Sequence, residues 1–71
     1  MKLHYYAETD SLYIDLKQGA ALDSQEVADG VVIDVDAEGR LVGIDIDRAS
    51  GQSDLATLET TGLPRPNDGS V

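Results

Sequence analysis

The stretch from Asp29 to Asp47 constrains the fold most, because two runs of alternating apolar and polar residues flank a short acidic turn that ends in glycine. Alternation at period two is typical of a β-strand with one buried face. Asp36 to Gly39 fits a type I turn followed by a left-handed residue, which glycine adopts without steric cost. The stretch therefore predicts a β-hairpin. One of its faces would carry six aliphatic side chains, Val31, Ile33, Val35, Val42, Ile44 and Ile46.

Two segments near the N-terminus predict a second hairpin. Lys2 to Tyr6 carries aromatic residues, which favour a strand, and Leu12, Ile14 and Leu16 recur at period two. The connection between them is too short for a parallel crossover, so the pairing should be antiparallel. A further short strand is expected over Asp23 to Val27, with a helical turn as the alternative. The expected fold class is mainly β, a small antiparallel sheet of four or five strands built from hairpins.

The composition changes after Ser50, which predicts a sheet domain over residues 1–50 and a polar tail over residues 51–71. Ser53 at an N-cap position and Asp54 in a first turn indicate a short helix over residues 53–60. If that helix forms, the fold class becomes α+β. From about residue 62 the prolines and polar residues are typical of disorder.

Charge narrows the set of partners. Five Lys and Arg against fourteen Asp and Glu give a net charge of −9, which would repel the phosphates of a nucleic acid and suits a basic partner protein. No apolar run approaches the roughly 18 residues that a membrane span needs, and the N-terminus lacks the apolar region of a secretory signal. We therefore expect a cytoplasmic protein that binds neither nucleic acid nor membrane.

The length of the chain favours self-association. A chain of 71 residues buries only about 60% of the surface that it exposes when unfolded. Because it has no cysteine, neither a disulfide nor a thiolate metal site can stabilise it. Association with further copies is the remaining common remedy, so we expect a homo-oligomer, most simply a dimer.

The acidic turn has the spacing of a calcium-binding loop. Asp34, Asp36, Glu38 and Asp45 stand at positions one, three, five and twelve, with Gly39 at position six. However, both flanks alternate like strands, whereas a true calcium loop lies between helices. We therefore expect no metal site here and retain the four carboxylates as weak candidates.

Tyr5, Tyr6 and Tyr13 are the interface candidates, since tyrosine is enriched at protein contacts. The alternative is that they pack across strands. His4 is the only histidine, and it lacks the second imidazole or thiolate that a transition-metal site needs. No phosphate-binding loop or nucleophile motif occurs, so we expect no cofactor, no catalytic residues and no enzyme activity.

Four short motifs occur in order: YYAETDSLYI at residues 5–14, EVADGVVID at 26–34, GRLVGIDI at 39–46 and AS at 49–50. Together they resemble the YuzE-like family of small bacterial domains of unknown function. The resemblance implies a compact antiparallel sheet of four or five strands, often followed by a helix, and brings no activity or cofactor. Gly51 and the later prolines depart from the longer C-terminal helix of that family.

Two functions are compatible with these features. The first is a non-catalytic protein-interaction or self-associating module that uses a sheet edge or its tyrosines. The second is a divalent-cation-binding module that uses the acidic turn.

Overall fold

A computed structural model describes residues 1–64 as five antiparallel strands in one sheet, followed by one short helix. The elements are β1 (Lys2–Tyr6), β2 (Ser11–Asp15), β3 (Asp23–Ala28), β4 (Val31–Val35), β5 (Leu41–Ile46) and α1 (Ala49–Gln52). The predicted fold class, mainly β with hairpin-built antiparallel strands, is confirmed. Most of the tail predicted to be disordered, from about residue 62, lies outside the described residues.

Strand β5 is the centre of the sheet, whose order is β1-β2-β5-β4-β3. The first hairpin, β1–β2, and the meander β3–β4–β5 are both local in sequence. They join where β2 pairs with β5, with Leu12 opposite Ile46 and Ile14 opposite Ile44. The second strand of the central hairpin therefore links the two halves of the molecule.

The connection from β2 to β3 runs along one end of the sheet, where backbone hydrogen bonds hold it. The Leu16 amide donates to the Val42 carbonyl, and the Leu22 amide donates to the Val35 carbonyl, each at 2.8 Å. The Lys17 ammonium also lies 3.0 Å from a carboxylate oxygen of Asp36. This connection reaches from β2, past β5 and β4, to the opposite edge without a helix.

The strand register sorts the side chains onto two faces, because residues directly opposite each other in an antiparallel pair share a face. The apolar face carries Leu3, Tyr5, Leu12, Ile14, Asp23, Gln25, Val31, Ile33, Val35, Val42, Ile44 and Ile46. The outer face carries His4, Tyr6, Tyr13, Asp15, Ser24, Glu26, Val32, Asp34, Gly43 and Asp45. All six aliphatic side chains predicted to share a face of the central hairpin do so.

Gly43 lets one tyrosine lie flat across the outer face. The Tyr13 side chain passes over Gly43, and its hydroxyl donates to Asp34 Oδ2 at 2.9 Å. A β-carbon at position 43 would collide with the Tyr13 hydroxyl oxygen. The Tyr13 side chain of β2 thus reaches Asp34 of β4 across the central strand because Gly43 of β5 has no side chain in its path.

The prediction of a helix over residues 53–60 is wrong. The only helix of the described residues is α1, four residues long, and Ser53 after it is extended with φ −140° and ψ 155°. The helix begins earlier because Asp10 satisfies its first amides: the Ala49 amide donates to the Asp10 carbonyl at 2.8 Å, and the Ser50 amide donates to the Asp10 carboxylate at 3.1 Å. A helix of eight residues with no such partners is marginal in water.

Substituting Gly43→Ala should destabilise the fold, because the new methyl group forces the Tyr13 ring away from Asp34. We expect a loss of about 1–3 kcal/mol in the free energy of unfolding, as is typical of overpacking. Denaturant unfolding followed by circular dichroism measures it.

Gly51→Ala is the matched control, since a β-carbon at Gly51 meets no atom within 4 Å. In a Tyr13→Ala background the Gly43→Ala substitution should cost much less, because the clashing ring is gone. An equal cost in both backgrounds would refute the close approach of Tyr13 as the reason for glycine at position 43.

Candidate interaction surface

The apolar face is only partly covered. Within residues 1–64, three apolar side chains are buried, Leu12, Val42 and Ala49. The other aliphatic residues of β4 and β5 on this face are half-buried, although they lie in the middle of the sheet. A contiguous apolar patch that remains exposed to solvent often marks a site of contact with another molecule.

Residues 53–58, here named the C-terminal strap, cross one side of the apolar face. Leu55 and Leu58 of the strap line a cavity of about 400 Å³ together with Leu3, Tyr5 and Leu12 of β1 and β2. No residue of β3 or β4 lines this cavity. The strap therefore adds a partial second layer over the β1–β2 half of the sheet.

The three tyrosines predicted to form an interface do not form one group. Tyr5 lies on the apolar face, whereas Tyr6 and Tyr13 lie on the outer face. Their cross-strand partners are Leu12, Ser11 and His4, so no two tyrosines are directly opposed. The Tyr6 ring stacks on His4 with centroids 6.1 Å apart. Of the three, only Tyr5 belongs to the open apolar face, and their role at an interface stays a prediction.

Asp10 links the first hairpin to α1, a role that sequence reasoning missed. Its backbone is left-handed, with φ 52°, and its carboxylate accepts hydrogen bonds from the Tyr5 hydroxyl and the Ser50 hydroxyl, both at 2.7 Å. The hydrogen bonds from Tyr5 and then Ser50 lower the pKa of Asp10, and the same contact with Asp10 raises the pKa of Tyr5. The sequence signal that could have indicated this role is an aspartate in a turn, since aspartate tolerates the left-handed backbone conformation.

Asp34, a candidate cation ligand, is engaged within the sheet. It accepts the Tyr13 hydroxyl on one oxygen and the Ser24 hydroxyl, at 2.7 Å, on the other. Burial, followed by the hydrogen bond to Asp34, raises the pKa of Tyr13 to about 12. Asp45 lies on the same face, and burial, then the charges of Asp47 and Asp34, raise its pKa. Asp34 thus ties β2, β4 and β3 together.

Asp36 organises the turn of the central hairpin. One carboxylate oxygen accepts the amides of Glu38 and Arg40, each at 2.9 Å, and the other accepts the Lys17 ammonium. The Arg40 amide and then Lys17 lower the pKa of Asp36 to about 2. Two of the four carboxylates with the calcium-like spacing, Asp34 and Asp36, therefore already accept hydrogen bonds from the turn and from neighbouring strands. Among residues 1–64 no three or more His, Asp or Glu side chains are grouped as metal ligands, and cation binding stays a prediction.

Comparison with known proteins places the sheet in a family. A family model for a protein of unknown function, DUF2283, matches residues 2–50, which span all five strands and the first residues of α1. The chain belongs to the DUF2283 family. No curated protein and no solved structure matches the chain. Among the described residues, no helix has the length and apolar character to cross a membrane.

The hydrogen bonds of Asp36 predict a pH dependence of stability. Its pKa is depressed from 3.8 to about 2 in the folded protein, so the carboxylate stabilises the fold above about pH 4 and loses that contribution as the pH falls toward 2. Asp36→Asn should lower the free energy of unfolding at pH 7 and flatten its decline between pH 4 and pH 2. Urea unfolding at several pH values tests this.

Glu8→Gln removes the same charge from an exposed turn residue and serves as the control. It should leave the decline between pH 4 and pH 2 intact. If the free energy of unfolding of Asp36→Asn declines between pH 4 and pH 2 as it does in Glu8→Gln and in the unchanged protein, the Asp36 carboxylate does not stabilise the turn.

Proposed function

We propose that this protein is a non-catalytic self-associating module, whose apolar face packs against the apolar face of a second copy. The half-exposed aliphatic residues of the central strands are the observation that carries the proposal. A sheet that is apolar on one face reaches a stable arrangement by burying that face against another layer. In this chain the strap supplies such a layer over part of β1 and β2.

The size of the face suits a small dimer interface. Five strands of five or six residues present a projected face of about 400–500 Å². Side-chain relief and the flank of the strap enlarge the area that a second copy can cover. Weak specific interfaces bury up to about 600 Å² on each partner. We therefore expect a dimer at the lower end of the range, which dissociates on dilution.

The distribution of charge favours the apolar face over the outer face as the contact. Asp15, Asp34, Asp45 and Glu26 all lie on the outer face. Within the strands, Asp23 at the edge is the charged residue of the apolar face. Packing two apolar faces together directs most strand carboxylates outward, away from the partner, which limits the repulsion that a net charge of −9 brings.

Other hypotheses have less support. Because Asp34 and Asp36 already accept hydrogen bonds from neighbouring groups, a divalent-cation site that includes Glu38 and Asp45 would have to displace them. A basic partner protein and a YuzE-like relationship within the DUF2283 family stay predictions.

Sedimentation of the full chain should reveal a monomer–dimer equilibrium at micromolar to high-micromolar concentration. Val31→Asp places a charge on the apolar face of β4 and should weaken dimerisation at least tenfold, or by about 1.4 kcal/mol. Val32→Asp changes the adjacent residue of the same strand, on the outer face, and is the matched control. Circular dichroism of both variants checks that the sheet is retained.

Monomer alone at high-micromolar concentration would refute the proposal. Equal weakening by both substitutions, with the sheet intact, would also contradict it, since the contact would then not distinguish the two faces.

A further inference from the structure

We infer that α1 and the strap form a hinged lid over the cavity, and that Asp10 is the latch that holds this lid closed. When the hydrogen bonds of Asp10 to residues 49 and 50 break, the strap leaves the β1–β2 half of the apolar face and the cavity opens. The inference goes beyond self-association and does not depend on it, because every contact concerned lies within one copy of the chain.

The strap is held to the sheet by side-chain packing. The Ser53 amide donates to the Ala49 carbonyl at 2.8 Å, and the amide and hydroxyl of Thr57 both donate to oxygens of Asp54. Within residues 1–64, none of the hydrogen bonds made by the strap reaches a strand. Leu58, one of its two cavity-lining leucines, is 75% exposed. Segments with few buried apolar contacts open locally at a low cost in free energy.

Asp10 fixes the segment from which the strap begins. Its backbone carbonyl accepts the Ala49 amide at 2.8 Å, and its carboxylate accepts the amide and the hydroxyl of Ser50 at 3.1 and 2.7 Å. Ala49 is fully buried beside these hydrogen bonds. Because the Ser53 amide is in turn bonded to the Ala49 carbonyl, the first residue of the strap is held in place through Asp10.

The other polar contacts of α1 hold it less firmly. Arg48 pairs with Asp29 at 3.2 Å, but the two side chains are 62% and 95% exposed, and exposed ion pairs contribute little to stability. The Gln52 side chain donates to the Asp47 carbonyl, five residues earlier in the same segment. Asp10 is therefore the main polar link between α1 and the β1–β2 hairpin.

Tyr5 couples the latch to the cavity. Its side chain lines the cavity, and its hydroxyl donates to the Asp10 carboxylate at 2.7 Å. The same carboxylate oxygen accepts the Ser50 amide. A wall of the cavity and the start of the lid thus share one acceptor, so a displacement of the Tyr5 ring changes the hydrogen bonding that holds the lid.

Limited proteolysis of the full chain tests the latch, because trypsin cleaves after arginine and Arg48 directly precedes α1. Asp10→Gly removes the carboxylate, and glycine tolerates the left-handed backbone at this position. We expect cleavage of the Arg48–Ala49 bond to accelerate roughly tenfold or more, measured by mass spectrometry of the fragments. Cleavage after Lys17 and after Arg40, outside the lid, should change less than about twofold.

Asp29→Gly is the matched control, since it removes a turn aspartate that pairs with α1 through Arg48. It should leave cleavage of the Arg48–Ala49 bond within about twofold of the unchanged protein. Asp10→Asn should retain most of the protection, because the side-chain carbonyl can still accept the Ser50 amide. The methyl resonances of Leu55 and Leu58 should move toward random-coil positions in Asp10→Gly alone.

Equal acceleration by Asp10→Gly and Asp29→Gly would overturn the latch, and so would unchanged cleavage after Arg48 in Asp10→Gly. Equal acceleration at all three trypsin sites would also overturn it, since Asp10 would then stabilise the whole sheet and not a hinged segment. Faster cleavage after Arg48 with unmoved Leu55 and Leu58 methyl resonances would overturn the lid, because α1 would have detached without the strap. Sedimentation of the unchanged protein decides self-association separately from each of these outcomes.

Discussion

The pairing of β5 on both sides is the interaction on which the rest of the fold depends. One row across the sheet runs from Leu12 through Ile46 to Val31, and the next runs from Ile14 through Ile44 to Ile33. Without the β2–β5 ladder the chain would be a two-stranded hairpin and a three-stranded meander. An isolated hairpin is at best marginally stable in water. The outer face reinforces this junction, because Tyr13 reaches over the central strand to Asp34.

On the apolar face, most aliphatic side chains of the central strands are half-buried. Ile46 ends β5, and α1 follows at residues 49–52, where the Ala49 amide donates to the Asp10 carbonyl. The strap then lines a cavity with side chains of β1 and β2. Because small domains gain most of their stability by burying apolar surface between two layers, the half-buried aliphatic residues of β4 and β5 are the surface on which the proposed self-association depends.

Local sequence patterns predict the strands and their faces. The pairing of β2 with β5 and the start of the helix depend on long-range contacts, which those patterns do not encode. Alternation at period two was sufficient for the central hairpin, because the aliphatic residues of both strands recur at every second position. The pairing of β2 with β5 is non-local, and no turn residue encodes it. The helix was placed too late because its start depends on Asp10, nearly forty residues earlier in the chain. The partners of the acidic turn were likewise not encoded in its calcium-like spacing, since Asp36 accepts amides of its own turn while Asp34 accepts a hydroxyl from a neighbouring strand.

The edge strand β3 is poorly suited to pairing with a further strand. At one edge, β3 carries Asp23 and Glu26, and its pairing with β4 is interrupted by an irregularity between Glu26 and Ala28. Charged side chains and bulges on an edge strand oppose the addition of another strand. The strongly acidic composition adds repulsion to any approach along that edge. The acidic residues of β3 therefore oppose strand addition at this edge, whereas the strand residues of the apolar face are mostly uncharged.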